Sequence, residues 1–290
     1  MFNLDKYLKI RSRIIDTTLD KVMPRSGIKP SILHKAMRYS VFSGGKRIRP
    51  ILCLAAAEAV GASYRKALLP AAAIELLHTY TLIHDDLPCM DNDDFRRGKP
   101  TSHKVFGEAN AILAGDALQT LAFETAAGTP VPERYKSGLL VRELAQAAGS
   151  LGVVGGQVED IAATGKIQTR KNIEFIHLHK TADLFRASLR MGAITGGADR
   201  KQLEALTLYG SNLGLAFQIA DDILDESQPV SRSNGNRNQT ELTCLSVFSP
   251  GEARMKAKAL IDEALEALSG FRSHIHPLVS MAQFVLNRAS

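Results

Sequence analysis

Apolar residues recur every three or four positions along almost the whole chain, which is the pattern of amphipathic α-helices. The strict alternation of apolar and polar residues that is typical of half-buried strands is missing. The pattern therefore predicts an all-α fold. The predicted helices are one that ends before Pro24, one from Ser31 to Gly44, one from Pro50 to Gly61, and then Ala71–Leu87, Asn110–Ala127, Pro132–Gly149, Thr169–Gly192, Lys201–Asp225 and Glu252–Ser269.

Glycine and proline set several of the predicted boundaries. Gly44 and Gly45 favour a helix end, because glycine adopts the left-handed C-cap conformation at little cost. Pro88 should end the helix before it, since it removes a backbone donor and clashes with the preceding turn. The segment Ser249–Glu252 has the sequence of a capping box with proline at the first helical position.

One segment interrupts the helical pattern. Glu226–Thr240 is polar, rich in Ser and Asn and without an apolar period, so we expect a mobile loop there. No internal repeat is visible, and the chain carries enough apolar residues for one large core. The sequence therefore predicts a single domain over residues 1–290.

Composition narrows the class of protein. Of the 290 residues 45% are hydrophobic and 23% charged, which excludes a disordered chain. The longest uncharged stretches, Leu144–Val158 and Ala205–Ala220, are shorter than the ~20 residues of a membrane-spanning helix. Cys53, Cys89 and Cys244 are scattered, and the N-terminus has no signal or transit pattern. We therefore expect a soluble protein of the reducing cytoplasm, with no stable membrane insertion.

The chain is moderately basic, with 36 Lys and Arg against 30 Asp and Glu. The basic residues are scattered except for two short groups, 46–49 and 96–104, and aromatic residues make up only 6%. Nucleic-acid binding usually requires basic residues gathered on one face. We therefore expect small anions as partners, and no nucleic acid.

The first candidate site is an aspartate cluster around Pro88. It places five carboxylates within ten residues, namely Asp85, Asp86, Asp91, Asp93 and Asp94. Such a cluster repels itself unless a cation lies among its oxygens. On a straight helix Asp85 and Asp91 would lie about 120° apart, so they converge only if the chain leaves the helix, as Pro88 would make it do. A solvated loop with capping aspartates is the alternative.

A second cluster, Asp221, Asp222 and Asp225, follows the apolar run Leu213–Ala220. Its spacing puts Asp221 and Asp225 about 40° apart on one helix face, so their oxygens can share a metal ion. Two oxygen-only clusters suit Mg²⁺, which retains water and is commonly completed by substrate phosphates. Together with the arginines that follow the first cluster, they favour a diphosphate substrate.

Other side chains fit a diphosphate on weaker grounds. Lys46 and Arg49 are three residues apart at a predicted helix start, where both could face one anion. His78 lies about 20° from Asp85 on the same helix face and could donate to a phosphate oxygen. Surface charges and a packing histidine are the alternative interpretations.

Five motifs together resemble one known family. They are GGKRIRP (44–50), HDDLPCMDNDDFRRGKPTSHKVFGE (84–108), GQVED (156–160), KTADLF (180–185) and FQIADDILD (217–225). Over roughly residues 30–225 the chain resembles the trans-isoprenyl diphosphate synthases, specifically their short-chain farnesyl and geranylgeranyl branch. The resemblance implies an isoprenoid synthase fold with helices around a deep central cavity, and a homodimer. It also implies a Mg²⁺-dependent prenyltransferase of isoprenoid biosynthesis that condenses isopentenyl diphosphate with an allylic diphosphate.

The resemblance extends to single residues. It implies three Mg²⁺ ions with substrate bound, held by Asp85 and Asp91 on one side and by Asp221 and Asp225 on the other. The neighbouring carboxylates Asp86 and Asp222 are implied as part of the catalytic set. The implied contacts of the allylic diphosphate are Arg96, Lys180, Thr181 and Gln218. Those of isopentenyl diphosphate are Lys46, Arg49, His78 and Arg97.

The resemblance also bears on product length. In this family the residue five positions before the first aspartate helps to form the floor of the cavity, and here it is Tyr80. A bulky ring there should stop growth early, so we expect farnesyl diphosphate (C15). The smaller Thr81 beside it leaves geranylgeranyl diphosphate (C20) as the alternative.

The chain departs from the family pattern after the second cluster. The family usually has a Gly-Lys loop followed by Lys-Thr-Tyr, whereas this chain has no lysine between Lys201 and Lys256. A weakly active or non-catalytic synthase subunit is therefore one alternative. A metal phosphohydrolase using His84 and Asp85 is another. A terpene cyclase shares the aspartate chemistry, but it does not need Lys46, Arg49 and His78 for a second diphosphate.

Overall fold

The computed structural model describes residues 2–227, 243–271 and 274–289, and these residues are mostly helical. The helices are α1 (Leu4–Val22), α2 (Ser31–Val41), α3 (Ile48–Ala59), α4 (Leu68–Asp85), α5 (Ser102–Phe106), α6 (Glu108–Ala127), α7 (Leu139–Ala148), α8 (Val153–Ala163), α9 (Arg170–Ile176), α10 (Asp183–Gly196), α11 (Arg200–Ser227), α12 (Pro250–Ala267) and α13 (His276–Ala289). Two short antiparallel strands, β1 (Phe95–Arg96) and β2 (Lys99–Pro100), form a hairpin between α4 and α5. The predicted all-α fold is confirmed.

Several helix ends follow the local sequence. The Ser249 hydroxyl accepts a hydrogen bond from the Glu252 N–H, and the Glu252 carboxylate accepts one from the Ser249 N–H, so the predicted capping box of α12 is confirmed. Helix α4 ends at Asp85, before Pro88, as the missing proline donor requires. The predicted glycine cap of α2 is wrong, because α2 ends at Val41 with Phe42 as its C-cap, and Gly44 (φ 106°) and Gly45 (φ 123°) lie in the loop before α3.

Helix α4 is the centre of the molecule. Every side chain from Pro70 to Leu77 is buried, which is typical of a helix surrounded by other helices. It packs against α6 on one side and α3 on another, and α10 lies between α3 and α11. Helices α10 and α3 approach closely at Gly192, where a Cβ atom would overlap the Cys53 carbonyl group. This central packing gives α4 a fixed position, and its C-terminal end carries the first aspartate cluster.

The longest predicted helix is divided in the structure. The apolar period predicts one helix over Thr169–Gly192, but the structure has α9, a π-helical turn at His177–Ala182, and α10, which continues to Gly196. A π turn inserts one residue without ending the helix, so the apolar period does not reveal it. The prediction of one uninterrupted helix is therefore wrong at the turn that carries Lys180 and Thr181.

The structure also bears on the predicted start of α7 and on the predicted loop after α11. The helix predicted over Pro132–Gly149 begins only at Leu139, after Gly138 in the left-handed conformation (φ 81°). Of the loop predicted over Glu226–Thr240, the first two residues continue α11, and the rest lies outside the described residues. Among the residues that the structure describes, no helix is both long enough and apolar enough to cross a bilayer.

Candidate active site

A cavity of about 380 Å³ lies between α4, α8 and the π-helical turn. Its wall is mostly apolar, with Leu82, Val153, Val158 and Leu184 among the lining residues. Eight residues singled out in the sequence also line it: Arg49, His78, Tyr80, Thr81, His84, Asp85, Lys180 and Thr181. The fold therefore gathers charged groups from three distant chain segments around one apolar space.

The first aspartate cluster folds back on itself. Asp91 donates its backbone N–H to the Asp85 carbonyl oxygen at 2.9 Å, across a short loop that contains Pro88, and the left-handed Asn92 (φ 53°) follows this loop. Burial raises the pKa of Asp85 to about 6, with Asp91 adding to the shift and Lys180 opposing it. The pKa of Asp91 is raised by burial as well. The chain thus leaves the helix after Asp85 and returns to it at Asp91, which is the course that a shared site for the two carboxylates would require.

Asp86 and Arg96 lie behind this loop and engage each other. Arg96 Nε donates to Asp86 Oδ1 at 2.5 Å, and Arg96 reaches Asp93 at 3.4 Å. Burial raises the pKa of Asp86 to about 6 in spite of the arginine. Neither side chain is among those that line the main cavity. In this structure the pair supports the loop that carries Asp91.

The π-helical turn supplies the cationic wall of the cavity. Lys180 Nζ lies 2.5 Å from Asp160 Oδ2. Burial acts to lower the pKa of Lys180, but Asp160, Asp85 and Asp91 outweigh it and raise that pKa. Asp160 was quoted in a motif but not singled out. No local pattern marks Asp160, because its partner Lys180 lies 20 residues further along the chain.

The second aspartate cluster divides into different environments. Asp221 Oδ1 lies 2.7 Å from a guanidinium nitrogen of Arg288 on α13, which the sequence did not single out. Burial raises the pKa of Asp221, with Arg288 opposing the shift. Asp225 is exposed. No residue of this cluster lines the cavity as described.

Asp222 is buried and fully engaged. It accepts hydrogen bonds from Gln218 Nε2 at 2.9 Å and from the Cys244 N–H at 2.6 Å, and His177 Nε2 lies 3.2 Å away. Burial acts to raise the pKa of Asp222, but His177 and the hydrogen bonds hold it below its ordinary value. Thr181 Oγ1 donates to Gln218 Oε1 at 2.7 Å, so this network ties α11 to the π-helical turn. Asp222 and Gln218 thus position Thr181.

The donor chemistry of the two clusters fits a hard cation that diphosphate completes. Within the described ranges, no three acidic, histidine or cysteine side chains converge as a ready-made metal site. Mg²⁺ is commonly bound by one or two carboxylates, with waters and substrate phosphates as its other ligands. Asp85 and Asp91 offer such a carboxylate pair. Asp221 and Asp225, one helical turn apart on α11, offer a second pair of carboxylates.

Basic residues near α3 form a patch that reaches the cavity wall through Arg49 and His78. Arg49 lies 3.4 Å from His78 Nε2, and across the described chain its buried Nε has no hydrogen-bond partner. Burial lowers the pKa of Arg49 to about 10. Burial and the neighbouring charge of Arg49 hold the pKa of His78 well below its ordinary value. Arg97 donates to the Gly44 carbonyl oxygen, and Lys46 is exposed, 5.9 Å from the Phe284 ring centre. The buried unpaired Nε is suited to an anion.

Comparisons with known proteins identify the family of this chain. The family model described as polyprenyl synthetase matches residues 30–245. A geranylgeranyl diphosphate synthase of Cyanophora paradoxa is 43% identical over 99% of this chain and 97% of its own length. The heterodimeric geranylgeranyl pyrophosphate synthase large subunit 1, chloroplastic, of Arabidopsis thaliana is 42% identical over 99% of this chain and 80% of its own length. The crystal structure of an FPP/GFPP synthase from Zymomonas mobilis superposes with a TM-score of 0.86 at 38% identity, covering 98% of this chain and 99% of that one.

Proposed function

Because this chain belongs to the polyprenyl synthetase family and is a trans-prenyltransferase, we propose that it condenses isopentenyl diphosphate with an allylic diphosphate to give geranylgeranyl diphosphate. The sequence led us to expect the C15 product. Several relatives that match 99% of the chain are described as geranylgeranyl synthases, which favours C20. The observation that carries the proposal is the apolar cavity with Asp85, Lys180 and Thr181 on its wall.

The cavity wall and the two aspartate clusters have different roles in the proposed reaction. Lys180 and Thr181 hold the allylic diphosphate. Asp85 with Asp91, and Asp221 with Asp225 on α11, would hold Mg²⁺. Bound Mg²⁺ would supply positive charge that stabilises the departing diphosphate. The fixed ammonium group of Lys180 acts on the same developing charge.

The second substrate is proposed to lie at the basic patch. Arg49 Nε, Lys46 and Arg97 bind the diphosphate of isopentenyl diphosphate, and the neutral His78 donates to one of its oxygens. The apolar wall excludes water, which would otherwise capture the allylic cation before the double bond of isopentenyl diphosphate attacks it.

The test is a condensation assay. Purified chain with Mg²⁺ and isopentenyl diphosphate is incubated with dimethylallyl, geranyl or farnesyl diphosphate, and products are separated by reversed-phase chromatography. We expect all three starters to be elongated to C20. A product that stops at C15 would return the proposal to the farnesyl alternative, and no elongation of any starter would contradict it.

The assembly and the compartment remain predictions. We propose a homodimer, although one relative is described as the large subunit of a heterodimer. Light scattering of the purified chain would distinguish a monomer that awaits a different partner from a self-associated dimer. A cytoplasmic location and the absence of nucleic-acid binding remain predictions from the sequence.

A further inference from the structure

The imidazole of His84 lies beside the cavity, between α4 and α6. It is one of the lining residues, and its Nε2 lies 3.1 Å from the Ile112 carbonyl oxygen on α6. Its ring meets the Tyr80 ring edge to face, with centroids 5.4 Å apart and planes at 87°. Such a contact favours one relative orientation of two rings. His84 is thus fixed to α6 and in turn contacts the predicted floor residue.

A glycine on α6 makes room for this ring. A Cβ atom on Gly115 would overlap Nε2 and Cδ2 of the His84 imidazole. Gly115 is buried in the interior of the 20-residue helix α6. Glycine at such a position destabilises a helix by about 1 kcal/mol relative to alanine. The cost is offset by seating the imidazole directly against the α6 backbone.

Tyr80 and His84 together form this part of the cavity wall. The Tyr80 side chain is buried and lies one helical turn before His84, so the two rings form a continuous surface on α4. A shift of the imidazole away from α6 would move the surface toward the cavity, because the ring has α6 on one side and the cavity on the other. Removal of the imidazole would leave Tyr80 without its edge contact.

We propose that His84, seated on Gly115 and held by the Ile112 carbonyl group, determines product length together with Tyr80. This inference rests on the proposed function, since it assumes that the prenyl chain grows along this cavity. In this proposal the product length depends on the rings of Tyr80 and His84 and on the close approach of His84 to Gly115. It differs from the expectation that the Tyr80 ring alone limits the chain, which gives no role to the contacts with α6.

The test compares glycine substitutions on one helix. Gly115→Ala places a methyl group where the imidazole lies, and we expect the ratio of C15 to C20 product to rise by about tenfold, the discrimination that one methylene group gives in an apolar pocket. Gly128→Ala, at the end of α6, is the matched control. Its Cβ atom would lie 3.6 Å from the Glu124 carbonyl oxygen, an ordinary contact, so the product ratio should not change.

A second variant keeps the test valid if Gly115→Ala does not fold. His84→Ala introduces no overlap and enlarges the cavity, so we expect products longer than those of the unaltered chain. Calorimetric binding of geranyl and geranylgeranyl diphosphate to each variant measures the same length preference without turnover. It separates this inference from the proposed reaction. An unchanged length preference in His84→Ala, in both products and binding, would overturn the inference.

Discussion

Arg47 fixes the loop that precedes α3. Its backbone is left-handed (φ 51°), and its guanidinium is buried. It donates to Asp16 on α1 at 3.0 Å, to Glu75 on α4 at 2.6 Å and to the Val41 carbonyl oxygen at 2.6 Å. One side chain therefore joins three helices next to Lys46. No role for Arg47 of its own follows from the sequence, because its partners Asp16 and Glu75 are distant in the chain.

Substitution of Arg47 by lysine should destabilise the fold. A single ammonium group cannot make three fixed contacts in three directions, and Glu75 would be left buried with an incomplete partner. We expect Arg47→Lys to lower the free energy of unfolding by about 3 kcal/mol, measured by denaturant titration. The control is Arg200→Lys, in an exposed pair with Glu204, which should leave the unfolding midpoint unchanged. Equal stability of Arg47→Lys and the unaltered chain would refute the anchoring role.

His78 should make stability depend on pH. Burial and Arg49 hold its pKa well below the ordinary value, so the unfolded chain binds a proton near pH 6 that the folded chain does not. Stability from this group is therefore lost as the pH falls below 6.5. Between pH 6.5 and 5.5 the loss is about 1 kcal/mol.

The comparison with His78→Gln isolates this effect from the aspartates, whose raised pKa values act in the opposite sense. We expect the unaltered chain to lose about 1 kcal/mol more than the variant over that pH interval, in denaturant titrations at both pH values. The same pH dependence in both proteins would show that His78 is protonated in the fold.

At the scale of elements, the predictable features were local. The capping box of α12 and the end of α4 before Pro88 depend on residues within one helical turn, so the sequence predicts them. The π-helical turn depends on how α8 and α11 pack on it, which no local pattern contains. The contact with α8 is closest at Gly156, where a Cβ atom would overlap the backbone of Lys180.

Gly156→Ala should separate α8 from the π-helical turn. Backbone atoms on the turn cannot rotate away from the added methyl group, so we expect a loss of about 2 kcal/mol in the free energy of unfolding. We also expect a higher KM for the allylic diphosphate, because Lys180 would move. Gly251→Ala is the control, since a Cβ atom there meets nothing within 4 Å. A variant as stable as the control would show that this contact is not tight.

At the scale of the whole molecule, the cavity is made by segments that spacing along the chain could not place together, and only the resemblance to a family implied that they share a site. The motifs indicated Asp85, Lys180 and Thr181 separately, and the fold brings them to one wall. Asp160 and Arg288 were missed, because each is identified only by a partner distant in sequence. Resemblance to a family supplied Tyr80, whose direction about 140° from Asp85 on a helix gave no sign that it lines the cavity.

Tyr80→Ala tests whether the cavity determines chain length. Loss of the ring opens space beyond the present floor, so we expect longer products on reversed-phase chromatography than the unaltered chain makes. Tyr80→Phe retains the ring and should retain the product length. Identical products from all three proteins would show that the chain does not grow toward Tyr80.

The most direct measurement is the Mg²⁺-dependent incorporation of isopentenyl diphosphate by the unaltered chain and by the Asp85→Asn/Asp91→Asn variant. We expect C20 product from the unaltered chain only when Mg²⁺ is present, and a rate at least about 100-fold lower from the variant, because the developing charge loses its stabilisation. Equal rates from the two proteins, or no elongation by the unaltered chain, would contradict prenyl transfer at these carboxylates.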